Sequence, residues 1–270
     1  MKTNFKKMKR KIIAAITLLL SGAFNTYAVD NSIYIDQSGD NATVSVTQDG
    51  AGNVVRGIQG AGSSNTTPSR IVGDGNQVSV SQVGSGNVLS LGVNTTTAAG
   101  GTGGGSFTYS VTGNNATAII NSNQGGAGTS ASNTVAVTQS GNTANANINV
   151  LGTTNTVTAV TSGGANNSVV STINGDNNSQ SISMTGGGGN SATVSQTGTA
   201  SALSLTSVGA SNTYSVTQSG GGSTGHSTTL DFNGSGNTAT ITQAGTAADS
   251  IVNLKSAGST NTFTINSNTH

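Results

Sequence analysis

The chain has 270 residues, with 40 Gly, one Pro, no Cys and no Trp; 6% are charged and 3% aromatic. It is too poor in large apolar side chains for an ordinary single-core domain, yet too rich in Thr, Val and Ile and too nearly uncharged for a disordered chain. The formal net charge of +1 hides a basic start: beyond residue 11 only Arg56, Arg70 and Lys255 stand against eight Asp and no Glu, a net of −5 that argues against a nucleic-acid partner.

Lys2, Lys6, Lys7, Lys9, Arg10 and Lys11 precede an apolar run, Ile12–Leu20, and then small residues up to Ala28. Basic start, short apolar centre and small closing residues predict a secretory signal peptide over 1–28, with Thr26 and Ala28 before the cut and Val29 as the first mature residue. The run is too short to span a bilayer comfortably. An exported chain without Cys has no disulfide, so its stability comes from elsewhere.

From Asn31 onward one unit recurs. It is clearest at 237–245, Asn-Thr-Ala-Thr-Ile-Thr-Gln-Ala-Gly. In an extended strand, Asn237, Ala239, Ile241 and Gln243 point one way, and Thr238, Thr240 and Thr242 the other. The six-residue Asn-to-Gln spacing appears at Asn31/Gln37, Asn53/Gln59, Asn76/Gln82, Asn133/Gln139, Asn190/Gln196, Asn212/Gln218 and Asn237/Gln243. Two further residues of this set bound the glycine turns Gln48-Asp-Gly-Ala-Gly-Asn53 and Gln82-Val-Gly-Ser-Gly-Asn87. Segments 60–75, which holds Pro68, and 94–106 break the period and read as loop insertions outside the repeat.

From Asn133 the strand starts fall every eleven or twelve residues, so strand-turn-strand-turn repeats about every 22 to 24. The predicted fold is all-β: a β-solenoid over 29–270 with two strands per coil and roughly ten coils. Hairpins do not require like residues to recur at that interval; stacked coils do. The inward Asn and Gln, expensive to bury unpaired, are expected to donate to the coil below and accept from the coil above. Neither end shows a polar or bulky cap, leaving edges open to a further copy.

The segment Gln48-Asp-Gly-Ala-Gly-Asn53-Val-Val-Arg-Gly-Ile-Gln59 resembles the curlin repeat of bacterial curli subunits, as does Ser32-Ile-Tyr-Ile-Asp-Gln37. The resemblance covers most of the chain after the leader. It implies a secreted subunit of extracellular amyloid fibres that serve biofilm matrix and cell adhesion. It also implies self-polymerisation as partner chemistry, together with a nucleator subunit and an outer-membrane export pore. In that family inward Asn and Gln drive polymerisation, a role that carries over here to Asn31, Gln37, Gln48, Asn53, Gln59, Asn76, Gln82 and Asn87.

Catalysis finds little footing in the residues. His226 and His270 are the only histidines, there is no Cys or Glu, and His226 falls where other copies have Asn. No calcium-binding nonapeptide or phosphate loop is present, so no metal, cofactor or enzymatic activity is expected. A second reading keeps the solenoid monomeric. Its outward rows Thr213/Ser215/Thr217, Thr238/Thr240/Thr242 and Thr262/Thr264 would then form a hydroxyl face for ice, glycan or another surface.

Overall fold

The computed structural model describes residues 17–20, 30–60, 64, 66–95, 103–123, 132–220, 225–246 and 249–269. Among these there is no helix; the repeat array is a β-solenoid with two strands per coil. One sheet runs through Thr43–Asp49, Gln77–Val83, Ser106–Thr112, Thr134–Ser140, Thr156–Thr161, Ser179–Thr185, Ala202–Val208, Ser227–Asn233 and Ile251–Ser256. The other begins with the broken strands Ser32–Ile33 and Ile35–Ser38, then Val54–Arg56 and Ser69–Val72. It continues through Val88–Asn94, Thr117–Asn123, Asn145–Leu151, Ser168–Asn174, Ser191–Gly198, Thr213–Gly220, Thr238–Gly245 and Thr262–Asn268. The chain alternates between the two sheets, and every strand pairs in parallel with its counterpart one coil away. This makes about nine turns rather than the ten expected, because the first coils are longer than the later ones.

Equivalent residues are 34, 29 and 28 positions apart in the early coils. From Asn133 they are 22 to 25 apart, as the later spacing predicts. Strict alternation builds the core: Thr43–Asp49 and Thr213–Thr217 both read exposed, buried, exposed along their length. The buried side is a narrow seam of Val, Ile, Leu and Ala between the sheets, with Phe107, Tyr109, Tyr214 and Phe232 as its largest members. Edge-to-face contacts join Tyr214 to Phe232 at 5.1 Å and Phe232 to Phe263 at 5.6 Å. Burial pushes the Tyr214 phenol up to about 12, and that of Tyr109 higher still. Both are neutral in the fold, so their contribution holds below pH 10 and is lost as pH rises toward 12. A urea midpoint that falls over that interval, and falls less in Tyr214→Phe, is the expected result.

Two expected boundaries change. Segment 60–75 is not wholly outside the stack: Ser69–Val72 is a strand paired with Ile35–Ser38 and with Gly92–Asn94. The interruption is a bulge within one strand that leaves after Arg56 and returns at Ser69. Gly57 closes its neck, donating to the Thr67 carbonyl at 2.7 Å, and a Cβ at Gly57 would lie 2.3 Å from the Pro68 oxygen. Segment 94–106 is likewise shorter as a loop, because Thr95 is fully buried and Gly105 accepts a backbone bond from Gln77; residues 96–102 lie outside the described residues. The leader assigned to 1–28 also lies outside them, except Thr17–Leu20. That strand pairs in parallel with Ser45–Gln48, so the first sheet does not end bare at Thr43–Asp49.

The turns explain the glycines. At most corners the first glycine packs on the corner of the next coil, Gly186 being an exception. A Cβ on Gly175, whose φ is +141°, would stand 1.8 Å from the Gly198 carbonyl oxygen. The residue just before most of the inward Asn is left-handed: Gly52, Gly86 and Gly236, but also Asn166, Asn177, Thr154 and Ser211. Hence the Gly-x-Gly-Asn motif is incomplete in many copies. The first glycine is mostly required by backbone contact, while the second is chiefly a backbone preference that Asn can meet. Gly175→Ala is expected to destabilise by about 2–4 kcal/mol, combining strain and overpacking, measurable as a lower thermal midpoint.

Candidate functional site: the buried amide columns

Parallel stacking sets like residues over one another, and two Asn columns result, one at the entry to each sheet. Each Asn bridges two coils. Its side-chain oxygen accepts the backbone N–H of the equivalent residue in the next coil. In most copies its Nδ2 donates to a turn glycine carbonyl of that coil, whereas Asn76 and Asn167 donate to Gly73 and Gly164 of their own turn. Asn87 N–H donates to Asn53 Oδ1 at 3.0 Å, and Asn53 Nδ2 to the Gly84 carbonyl at 2.8 Å. Asn237 N–H donates to Asn212 Oδ1 at 2.9 Å, and Asn212 Nδ2 to Gly234 O at 2.9 Å. Side chains also touch directly in the later coils, Asn212 to Asn190 and Asn237 to Asn212, both at 3.1 Å. The expected side-chain ladder is therefore chiefly a side-chain-to-backbone ladder in the Asn columns. This tolerates interruption. Ala116 breaks a column, yet its N–H still donates to Asn87 Oδ1 at 3.0 Å, as Gly105 N–H does to Asn76.

The Gln residues behave differently. Gln48 Nε2 donates to Gln82 Oε1 at 2.7 Å. Gln196, Gln218 and Gln243 form a ladder of three residues joined at 2.7 and 2.9 Å. The two runs lie on opposite sheets, and neither column is Gln throughout. Ahead of Gln196 the same inward position holds Ile71, Val93, Ser122, Val150 and Ile173, and beyond Gln82 on the other sheet it holds Val111, Gln139, Thr161 and Met184. Gln139, flanked by Val111 and Thr161, instead accepts from the Tyr109 hydroxyl at 2.9 Å.

Of the sixteen predicted ladder residues, Gln48, Asn53, Asn76, Gln82, Asn87, Asn133, Gln139, Asn190, Gln196, Asn212, Gln218, Asn237 and Gln243 are fully buried. Asn31 is half-buried at the stack's end but bridges as the rest do, accepting from Asn53 N–H at 2.9 Å. Gln37 and Gln59 take no part in a ladder. Gln37 donates to its own turn at Gly39 O, 2.8 Å. Gln59 lies in the bulge and folds back on Gly57 O at 2.9 Å, because Ile71 occupies the inward position it was expected to fill.

Asn155, Asn167, Asn178 and Asn261 are column members outside that set. Their signal was the spacing of eleven or twelve alone, since no Gln stands six residues on from Asn155, Asn167 or Asn178. His226 is fully buried and stands in for an Asn. Its Nε2 donates to Ser219 O at 3.0 Å, which leaves Nδ1 to accept Ser250 N–H at 3.2 Å. Among the described residues no three His, Cys, Asp or Glu side chains converge. The outward rows align as well, Thr213 with Thr238 with Thr262 and Ser215 with Thr240 with Thr264.

Comparison with protein-family models, with curated proteins and with solved structures finds no match to this chain.

Proposed function

We propose that this chain is the secreted subunit of an extracellular fibre, built by stacking solenoids end to end in the manner of the curlin-repeat subunits its repeat resembles. One observation carries the reading: apolar rows stay half-covered at the first strand of the second sheet and at the last strands of both sheets. Ile33 and Ile35 at the start, and Leu254, Phe263 and Ile265 at the finish, pack against the core but remain half-exposed, while their equivalents inside the stack are buried. Half-covered apolar rows, an edge at Thr43–Asp49 covered only by a strand of the leader, and a net charge of only −5 after that leader favour addition of another copy. The role is structural, in biofilm matrix and surface adhesion. A nucleator subunit and an outer-membrane export pore are the partners such a subunit uses.

The chain beginning at Val29 is expected to assemble after a lag into fibres that bind amyloid dyes, and preformed seeds should remove the lag. Growth that ignores seeds would count against templated stacking. The aligned hydroxyl rows favour one second reading, a surface-binding solenoid. Replacing Thr238, Thr240 and Thr242 together with Lys separates the two: the fibre reading expects assembly to persist, and the surface reading expects binding to be lost.

A further inference from the structure

The residue columns can be followed past the end of the chain. On the first sheet, register runs Phe232 to Ser256, Leu230 to Leu254 and Thr228 to Val252 in the last two coils, and Gln48 to Gln82, Val46 to Val80 and Val44 to Val78 in the first two. A second copy continuing this sheet would set Val252 on Val44, Leu254 on Val46 and Ser256 on Gln48. On the second sheet it would set Phe263 and Ile265 on Ile33 and Ile35. Apolar residues meet apolar residues at each of these four inward positions.

The polar position also fits. Each Gln in a ladder donates toward the following coil, so its oxygen awaits a donor from the preceding one. Gln48 Oε1 is buried and has no hydrogen-bond partner. Ser256 Oγ accepts from Asn261 Nδ2 at 3.0 Å, which leaves its own proton free to donate to such an oxygen. Asn261 closes its column, and among the described residues nothing donates to its Oδ1; Asn31 N–H of the next copy would. The edge also demonstrably takes a parallel strand. Thr17–Leu20 lies along it in register, Leu18 opposite Val46 and Leu20 opposite Gln48. These are the positions Leu254 and Ser256 of a second copy would occupy.

We infer that Thr43–Asp49 is the docking edge for Ile251–Ser256 of a second copy, in this register, and that the chain's own Thr17–Leu20 holds the seat until it is displaced. The inference rests on the fibre reading and adds polarity, register and a built-in block. Removing the leader clears the edge, which couples assembly to processing.

The chain has no Cys, so single cysteines report register cleanly. Thr43 and Ile251 face outward, Ile251 being 80% exposed, and would face each other across the junction. Full chains carrying Thr43→Cys and Ile251→Cys are mixed, oxidised and compared with a Thr47→Cys and Ile251→Cys mixture, whose partners would be about 13 Å apart and beyond disulfide reach. Each mixture is run with Leu18→Pro/Leu20→Pro, which cannot pair as a strand, and without it. The chain from Val29 serves as a second form lacking the block.

With the block removed, fibres should form and 43–251 dimers should exceed 47–251 dimers about tenfold. With Thr17–Leu20 intact, both elongation and the 43–251 dimer should fall about fivefold or more. Fibres whose 43–251 dimers do not exceed the control would overturn the register while sparing the fibre reading. Equal yields with and without Thr17–Leu20 would overturn the block. No assembly in any form would remove the fibre reading and this inference together.

Discussion

Asn212→Leu is expected to destabilise the stack by about 3 kcal/mol or more, because it strands several buried backbone groups at once. The Asn212 side chain accepts Asn237 N–H at 2.9 Å and donates to Gly234 O at 2.9 Å and to Ser207 Oγ at 3.2 Å. Leucine fills similar space and makes none of these bonds. Each unpaired buried N–H or carbonyl costs about 1–3 kcal/mol, and leucine's apolar gain is smaller than the sum. Because the affected groups belong to the next coil, the loss should spread toward the C-terminal end. Hydrogen exchange should show Asn237 N–H losing protection first. Unchanged exchange at Asn237 would mean that the column does not join the coils.

The second large effect separates true ladder glutamines from apparent ones. Gln218 accepts from Gln196 at 2.7 Å and donates to Gln243 at 2.9 Å, to Thr228 Oγ1 at 3.2 Å and to Ala202 O at 3.1 Å. Gln218→Leu cuts the ladder in its middle, leaves Gln196 Nε2 and the Ala202 carbonyl short of partners, and should cost about 2–4 kcal/mol. Gln59→Leu removes one local bond in a half-exposed bulge and should cost within about 0.5 kcal/mol. Urea unfolding of the two variants measures both. Similar losses would mean that the buried ladder contributes nothing special.

That contrast marks where sequence reasoning reaches and where it stops. Alternation, period and inward Asn positions were legible because each is a property of residue type at fixed spacing. Gln59 has the correct spacing from Asn53 and the correct type, yet the chain leaves the sheet at Gly57 and re-enters with Ile71 in the same phase. Two residues with equal claims on one site cannot be ranked by spacing. The bonding of the Asn columns was hidden for another reason. Its acceptor side is a side chain, but its donor is a backbone N–H that any non-proline residue supplies. Ala116, Gly105 and Ser201 therefore serve where an Asn-to-Asn pattern predicts a break. The left-handed turn position was half legible: glycine advertises it at Gly86, whereas Thr154 and Ser211 adopt it without any such signal. Pairing of Thr17–Leu20 with the first coil could not be read at all, since an apolar run at a basic N-terminus carries the pattern of a leader and not of a strand.

In a fibre the columns of one chain continue into the next. Electron micrographs and fibre diffraction of the chain from Val29, after incubation at high concentration, test it most directly. Unbranched fibres of uniform width are expected, with a meridional spacing of about 4.8 Å and strands perpendicular to the axis. A chain that stays monomeric for days, with or without seeds, would contradict it.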